Sequence, residues 1–258
     1  MRNMSTGLEL VTVPCLSDNY AFIVHNSQTN ETALIDAPEA APIQAALDAR
    51  GWVLTDIVLT HHHPDHIDGV DALRGTARVI GAKADVHRLP ALDLAIAEGD
   101  DLTLCGTKAQ VFDVSGHTLG HIAIYLAEPG YAFTADSLMA LGCGRLFEGT
   151  PAQMWDSLQK LRALPDDTLV CSGHEYTEAN ARFALALDPE NTALISRGMQ
   201  ITAARAAKES TVPSLLGDEK RTNPFLRADD PALRAVLGMD SASDADVFAY
   251  IRAQKDKF

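Results

Sequence analysis

Thr60–Gly69 reads THHHPDHIDG and follows the apolar run Asp56–Leu59, DIVL. Four of the chain's nine histidines and two aspartates fall inside it. DIVLT has the composition of a strand, and continuing its extended backbone puts His61 and His63 on one side and His62 on the other, because side chains alternate along a strand. Pro64 has no N–H to give a ladder, so Asp65 and His66 fall in a turn that leads into a short helical pattern, IDGVDALRG. A histidine-rich tract can also be a solvated loop. What argues against that reading is the rest of the chain.

Three later stretches repeat the arrangement of a polar, metal-competent residue directly after a strand. SGHTLGH places His117 after AQVFDV, FTAD places Asp136 after YAFTA, and CSGHEY places His174 after TLVCS. Loops at strand ends gather into sites that a rigid sheet supports. Five imidazoles and two carboxylates suit two divalent ions, since histidine nitrogens favour zinc or iron and a carboxylate can bridge two metals. The assignment is His61, His63 and His117 to one ion, Asp65, His66 and His174 to the other, and Asp136 to both. Two ions per chain are therefore expected, zinc first, with iron and manganese compatible with the same ligands. Such a pair ionises water near neutral pH, so the nucleophile needs no serine or cysteine, and Asp65 and Asp136 become the candidate catalytic residues.

Composition narrows the class further. At 258 residues and 47% hydrophobic content the chain has room for one large domain or a medium one plus a small one. MRNMSTGLELVTVPCL has no apolar stretch of signal-peptide length, and no run of 18 apolar residues occurs, so a soluble, cytoplasmic protein without a membrane partner is expected. Cys15, Cys105, Cys143 and Cys171 are widely spaced and read as reduced, buried thiols. A net charge of −14 argues against nucleic acid as a partner, and any anionic ligand would need a local basic patch.

Strand-like runs alternate with turns up to about residue 175, whereas the segments after Tyr176 are alanine-rich and helix-spaced. Helices are expected from Ala41, in APIQAALDARG, and over Thr150–Leu164, where Thr is the N-cap, Pro comes first and Gln third. VPSLLGDEKRTNPFLRADD, residues 212–230, reads as a loop from its Pro, Gly and Asn punctuation. The fold class is α/β or α+β, a layered catalytic domain over 1–176 followed by an all-α domain over 177–258.

Taken together, THHHPDH, GHTLGH, FTAD and CSGHEY resemble the metallo-β-lactamase superfamily of binuclear metal hydrolases. FTADSLMALGCGRLFEGTP, CSGHEYTEANARFA and the tail RAQKDKF narrow the resemblance to glyoxalase II, the hydroxyacylglutathione hydrolases, over essentially the whole chain. The resemblance implies a four-layer αββα sandwich with the metals at one edge and a small helical domain that helps bind glutathione. It also implies hydrolysis of S-D-lactoylglutathione to glutathione and D-lactate, with a small-molecule glutathione thioester as partner; a monomer is expected, although no residue pattern decides the oligomeric state. The ligands argue for hydrolysis, and only the likeness argues for the thioester.

By the same resemblance Arg145, Arg252 and Lys255 match basic glutathione-binding positions, and Tyr176 matches the tyrosine after the metal histidine His174, itself next to the substrate. Phe147 stands where the family usually has a tyrosine, and Arg145 where lysine is common. Arginine binds carboxylates in a two-pronged fashion more readily than lysine does, so altered affinity is expected and not lost activity. Without the resemblance, Arg252 and Lys255 read as ordinary cations at a helix C-terminus. Asp36, after TALI, resembles the superfamily's early aspartate and could orient a metal-binding histidine through its second nitrogen. His62 and His121 read as structural, and Cys143 as a packed small residue. The rival functions are a persulfide dioxygenase of the same superfamily with a single iron, and a non-catalytic metal-binding protein.

Overall fold

In the computed structural model, which describes residues 7–258, the apolar runs of the first half become strands. β1 (Leu8–Cys15), β2 (Asn19–Asn26), β3 (Glu31–Ile35), β4 (Asp56–Leu59), β5 (Arg78–Ala82) and β6 (Leu94–Ile96) form one sheet in that order. The first three are antiparallel and joined by short turns; from β3 onward the pairing is parallel. Parallel neighbours need crossovers, supplied by α1 (Ala40–Asp48) between β3 and β4, and by α2 (Pro64–Ile67) and α3 (Val70–Leu73) between β4 and β5. An antiparallel meander follows, of β7 (Leu102–Leu104), β8 (Thr107–Asp113), β9 (Ile122–Leu126) and β10 (Tyr131–Ala135).

Both faces of the first sheet are covered, which is why all eight residues of β2 are buried. On one face Ile23, Leu34, Ile57 and Leu59 pack with Ile43 and Leu47 of α1 and Val70 and Leu73 of α3. On the other, Phe22 meets Phe133 of the meander at 5.8 Å between ring centroids. Strand ends therefore project from a core of fully buried aliphatics, each contributing roughly 1.5–3 kcal/mol of transfer free energy. The described residues divide into two compact units: residues 7–113 with Gly120–Thr134, and Val114–Leu119 with Ala135–Phe258.

The second unit opens on a two-stranded hairpin, β11 (Leu138–Met139) and β12 (Gly142–Cys143), and continues with α4 (Pro151–Arg162). Thr150 and Gln153 cap α4 reciprocally, with Pro151 first, as their spacing predicts. β13 (Leu169–Ser172) pairs antiparallel with β14 (Ser214–Leu215). Otherwise the C-terminal region is helical: α5 (Thr177–Leu187), α6 (Thr192–Ala206), α7 (Leu216–Thr222), α8 (Pro231–Leu237) and α9 (Asp244–Lys255). A file of aromatics, Phe183, Phe225, Phe248 and Trp155, joins α5, the 3₁₀ turn Pro224–Leu226, α9 and α4.

The expectation of a loop over 212–230 is corrected, because α7 and the 3₁₀ turn occupy its middle. Seven residues with Gly217 in the first turn show no helical period. Tertiary contacts of the buried Glu219 hold the helix instead, among them the Leu141 N–H at 2.8 Å. No helix among the described residues is long and apolar enough to cross a membrane.

Candidate metal centre

In the first unit the site is built around Asp36, which follows β3 with φ 57°, a left-handed conformation that aspartate tolerates better than most residues. Its carboxylate accepts the Thr60 N–H at 2.9 Å, the Thr60 hydroxyl at 2.9 Å and His66 Nδ1 at 2.8 Å. Having given its proton to Asp36, the Thr60 hydroxyl accepts from His61 Nδ1, 3.0 Å away. One buried carboxylate thus assigns two tautomers: His66 and His61 both carry a proton on Nδ1 and present a bare Nε2. His61 Nε2 lies 3.1 Å from His63 Nδ1, so two ring nitrogens address one place.

His66 Nε2 lies 3.9 Å from Asp65 Oδ2. Asp65 is fixed in turn by the Asn19 amide, which donates to its Oδ2 at 3.1 Å and its carbonyl at 2.9 Å. His62 turns instead to the buried carboxylate of Asp85, 3.0 Å away, and His121 stacks on His61 with centroids 4.6 Å apart.

In the second unit Ala135, at φ 40°, turns the chain out of β10, a strained conformation for alanine costing about 1 kcal/mol or more. It delivers Asp136 so that Oδ2 lies 3.4 Å from His117 Nε2 and 3.3 Å from His174 Nε2. His117 Nδ1 is bonded to the Arg145 carbonyl at 2.8 Å, which puts the proton there and leaves Nε2 as a lone pair. A lone pair facing a carboxylate oxygen is repulsive unless a cation is shared. This donor chemistry fits a divalent ion, as does the Asp36-imposed tautomer of His61 and His66.

Residues 114–119 are stitched in place by Ser157 Oγ on the Ser115 carbonyl at 2.7 Å and by Glu148 accepting the Leu119 N–H at 2.8 Å. Gly144 has no substitute here: a Cβ would sit 1.9 Å from the Asp136 carbonyl oxygen and 2.9 Å from His117 Nδ1.

The predicted glutathione-binding residues also lie in the second unit. Tyr176 stacks on His174 at 4.7 Å and 7° between planes, and the Phe147 ring meets His117 edge-on at 5.3 Å. Both rings are exposed, Phe147 by 62%. Arg145 is exposed, but Arg252 is buried, with Nη1 on the Cys143 carbonyl at 3.0 Å and the guanidinium over the Phe225 ring. Lys255 Nζ donates to the Ala179 carbonyl at 3.3 Å; burial first, then Arg252, holds its pKa below the usual lysine value. Burial pushes the Cys143 thiol up to about 11, so it is protonated at neutral pH and is no nucleophile.

Four supporting residues escaped the sequence reading: Asn19 and Thr60 beside the histidines, and Glu219 and Asn223, which hold the β11–β12 hairpin through the Leu141 N–H and the Met139 and Gly142 carbonyls. Thr60 was open to discovery, since a hydroxyl directly before a histidine run is placed to fix a tautomer; the others bond across long sequence separations. Substituting Asp36 by asparagine should lower metal affinity by about 10- to 100-fold, the usual cost of removing a partner that orients a ligand histidine. Competition with a chromophoric chelator measures this, and unaltered affinity would mean that Asp36 does not set the tautomers.

The Metallo-beta-lactamase superfamily model matches residues 14–174, and the Hydroxyacylglutathione hydrolase C-terminus model matches 175–258. A hydroxyacylglutathione hydrolase of Ruegeria pomeroyi is 64% identical over 253 residues, covering 97% of this chain and 99% of that protein. Among solved structures, the B3 metallo-β-lactamase BLEG-1 superposes with a TM-score of 0.66 at 22% identity, over 84% of this chain and 99% of that one. A protein crystallised in a di-iron-bound form superposes at 0.60 with 26% identity, over 84% and 100%.

Proposed function

We propose, from the premise that the chain belongs to the hydroxyacylglutathione hydrolases of the metallo-β-lactamase superfamily, that it hydrolyses S-D-lactoylglutathione and related S-2-hydroxyacylglutathiones to glutathione and the 2-hydroxy acid. In this reading residues 1–176 form the catalytic domain and 177–258 the helical domain that contributes to glutathione binding. The supporting observation is Asp136, one oxygen of which faces Nε2 of both His117 and His174, the His117 ring being bonded through its Nδ1 to the Arg145 carbonyl. His61, His63 and His117 would hold one ion, Asp65, His66 and His174 a second, and Asp136 both. When bound, such ions supply an ionised water at neutral pH and a Lewis acid for the thioester carbonyl.

The chain's own residues do the rest. Asp65, oriented by Asn19, accepts the proton of the attacking water. A new C–O bond forms at the acyl carbon, the C–S bond breaks, and the sulfur leaves as thiolate, which with a free pKa of about 8.5 needs no strong acid. Arg145, Tyr176, Arg252 and Lys255 hold the glutathione moiety, answering the need for a local basic patch in a chain of net charge −14. Phe147 offers a ring face and no hydroxyl, so it contributes contact area alone. Zinc is the leading ion, with iron and manganese as alternatives, in a cytoplasmic monomer.

One comparison tests the reading: turnover of S-D-lactoylglutathione beside simple thioesters, a lactone and a β-lactam, with metal content measured on the same sample. Lactoylglutathione should be the best substrate, and chelation should abolish its hydrolysis. Hydrolysis surviving complete metal removal, or oxygen uptake with glutathione persulfide in place of lactoylglutathione turnover, would overturn it.

A further inference from the structure

The two arginines assigned to glutathione are not waiting with open hands. Asp256, in the last turn of the chain, places Oδ1 2.9 Å from Arg252 Nη2 and 3.6 Å from Arg145 Nε. Arg252 gives Nη1 to the Cys143 carbonyl and keeps Nε buried without a hydrogen-bond partner, so the edge that meets a carboxylate is the one Asp256 holds. Arg145 reaches the same oxygen from a side chain that is 62% exposed, and Asp256 itself is 40% exposed. Lys255, the third cation, is half-buried next door and feels both Arg252 and Asp256. A carboxylate of the protein's own therefore bridges two cations that would otherwise address a carboxylate of the ligand, and both exposed members remain open to exchange.

We infer that Asp256 is an internal counter-ion that tunes specificity: it holds Arg145 and Arg252 together in the free protein and competes with a carboxylate of the glutathione moiety for them. The inference rests on the glutathione reading above. Its chemistry is that of a thermodynamic competition. A ligand carboxylate gains only the difference between its own bonds to the pair and those of Asp256, so Asp256 weakens binding of the anion and sets KM, while the acyl carbon and its nucleophile are untouched. The same residue keeps a buried guanidinium paired when no ligand is present, which gives the fold a reason to retain a group that opposes binding.

The test is Asp256→Asn, assayed with S-D-lactoylglutathione and with an uncharged lactoyl thioester of N-acetylcysteamine. For the anionic substrate KM should fall about two- to five-fold at low ionic strength, the span that a part-exposed ion pair commands, with the change in KM and not in kcat. The inhibition constant of glutathione should fall in parallel. Added salt should shrink the difference, Asp256→Glu should restore the parent KM, and KM for the uncharged thioester should not move. A KM for lactoylglutathione that stays or rises in Asp256→Asn would overturn the inference and make Asp256 a structural brace. If the parent protein itself shows no preference for lactoylglutathione over the uncharged thioester, it is the glutathione reading that fails, and the two failures are told apart.

Discussion

Replacing Asp136 by alanine is expected to lower kcat/KM for S-D-lactoylglutathione by about 10²- to 10³-fold, the loss that follows removal of one pre-placed group that stabilises charge at a reacting centre. Its Oδ2 is held within 3.4 Å of two candidate ligand imidazoles. Without it His117 and His174 lose the negative charge that lets a dication sit against them. Metal content per chain should fall below that of the parent, read by elemental analysis after gel filtration. The far-ultraviolet circular dichroism should be unchanged, because the removed atoms are polar and β10, which leads into Asp136, is buried from Ala132 to Ala135. Turnover and metal content both at the parent level would rule out the bridging role proposed for Asp136.

Asp36 governs the histidine cluster of the first unit through the tautomers of its rings. A carboxylate that takes the Thr60 hydroxyl and the His66 ring also decides, through Thr60, how His61 is protonated. The sequence singles out Asp36 as a partner of one histidine. That it governs two follows only once Thr60 is seen between them, because the relay depends on which way a hydroxyl proton points.

Much of the architecture was legible for plain reasons. Strands of four or more residues with apolar runs, and α4 with its reciprocal cap, declare themselves through local chemistry. The residues at strand ends that the sequence picked out do gather: His61, His63, Asp65 and His66 in one unit, His117, Asp136 and His174 in the other. β6, β7, β11, β12 and β14 were not legible, since two or three residues show no period. α7 was hidden by Gly217 and by the Pro and Asn around it. Nor does a sequence reveal that Arg252 is 7% exposed while Arg145 stands in solvent, because helical spacing cannot distinguish a cation that caps a helix from one threaded under it.

The residue with most at stake for stability is Glu219 of α7, whose carboxylate is fully buried. It accepts Ser214 Oγ at 2.6 Å, the Leu141 N–H at 2.8 Å and Asn223 Nδ2 at 3.2 Å, and it pairs with Arg197, itself only 12% exposed. Leu141 has φ 55°, an unfavourable conformation for a branched side chain, and sits in the turn of the hairpin that starts directly after Ser137. Asn223 holds the same hairpin through the Met139 and Gly142 carbonyls at 3.1 and 3.0 Å. Glu219→Ala would strip the Arg197 guanidinium of its counter-charge and orphan a buried N–H, an expected loss of about 3–5 kcal/mol. Against a total of about 5–15 kcal/mol for a typical domain, that is a large fall in the midpoint of urea denaturation. Because Gly144 closes the hairpin onto the Asp136 carbonyl, the variant should also lose metal more readily than the parent at equal folded fraction. Glu219→Gln keeps an oxygen for Leu141 but no charge for Arg197, so it should fall between the two. A denaturation midpoint for Glu219→Ala within error of the parent would show that the hairpin is held by its apolar packing and not by this carboxylate.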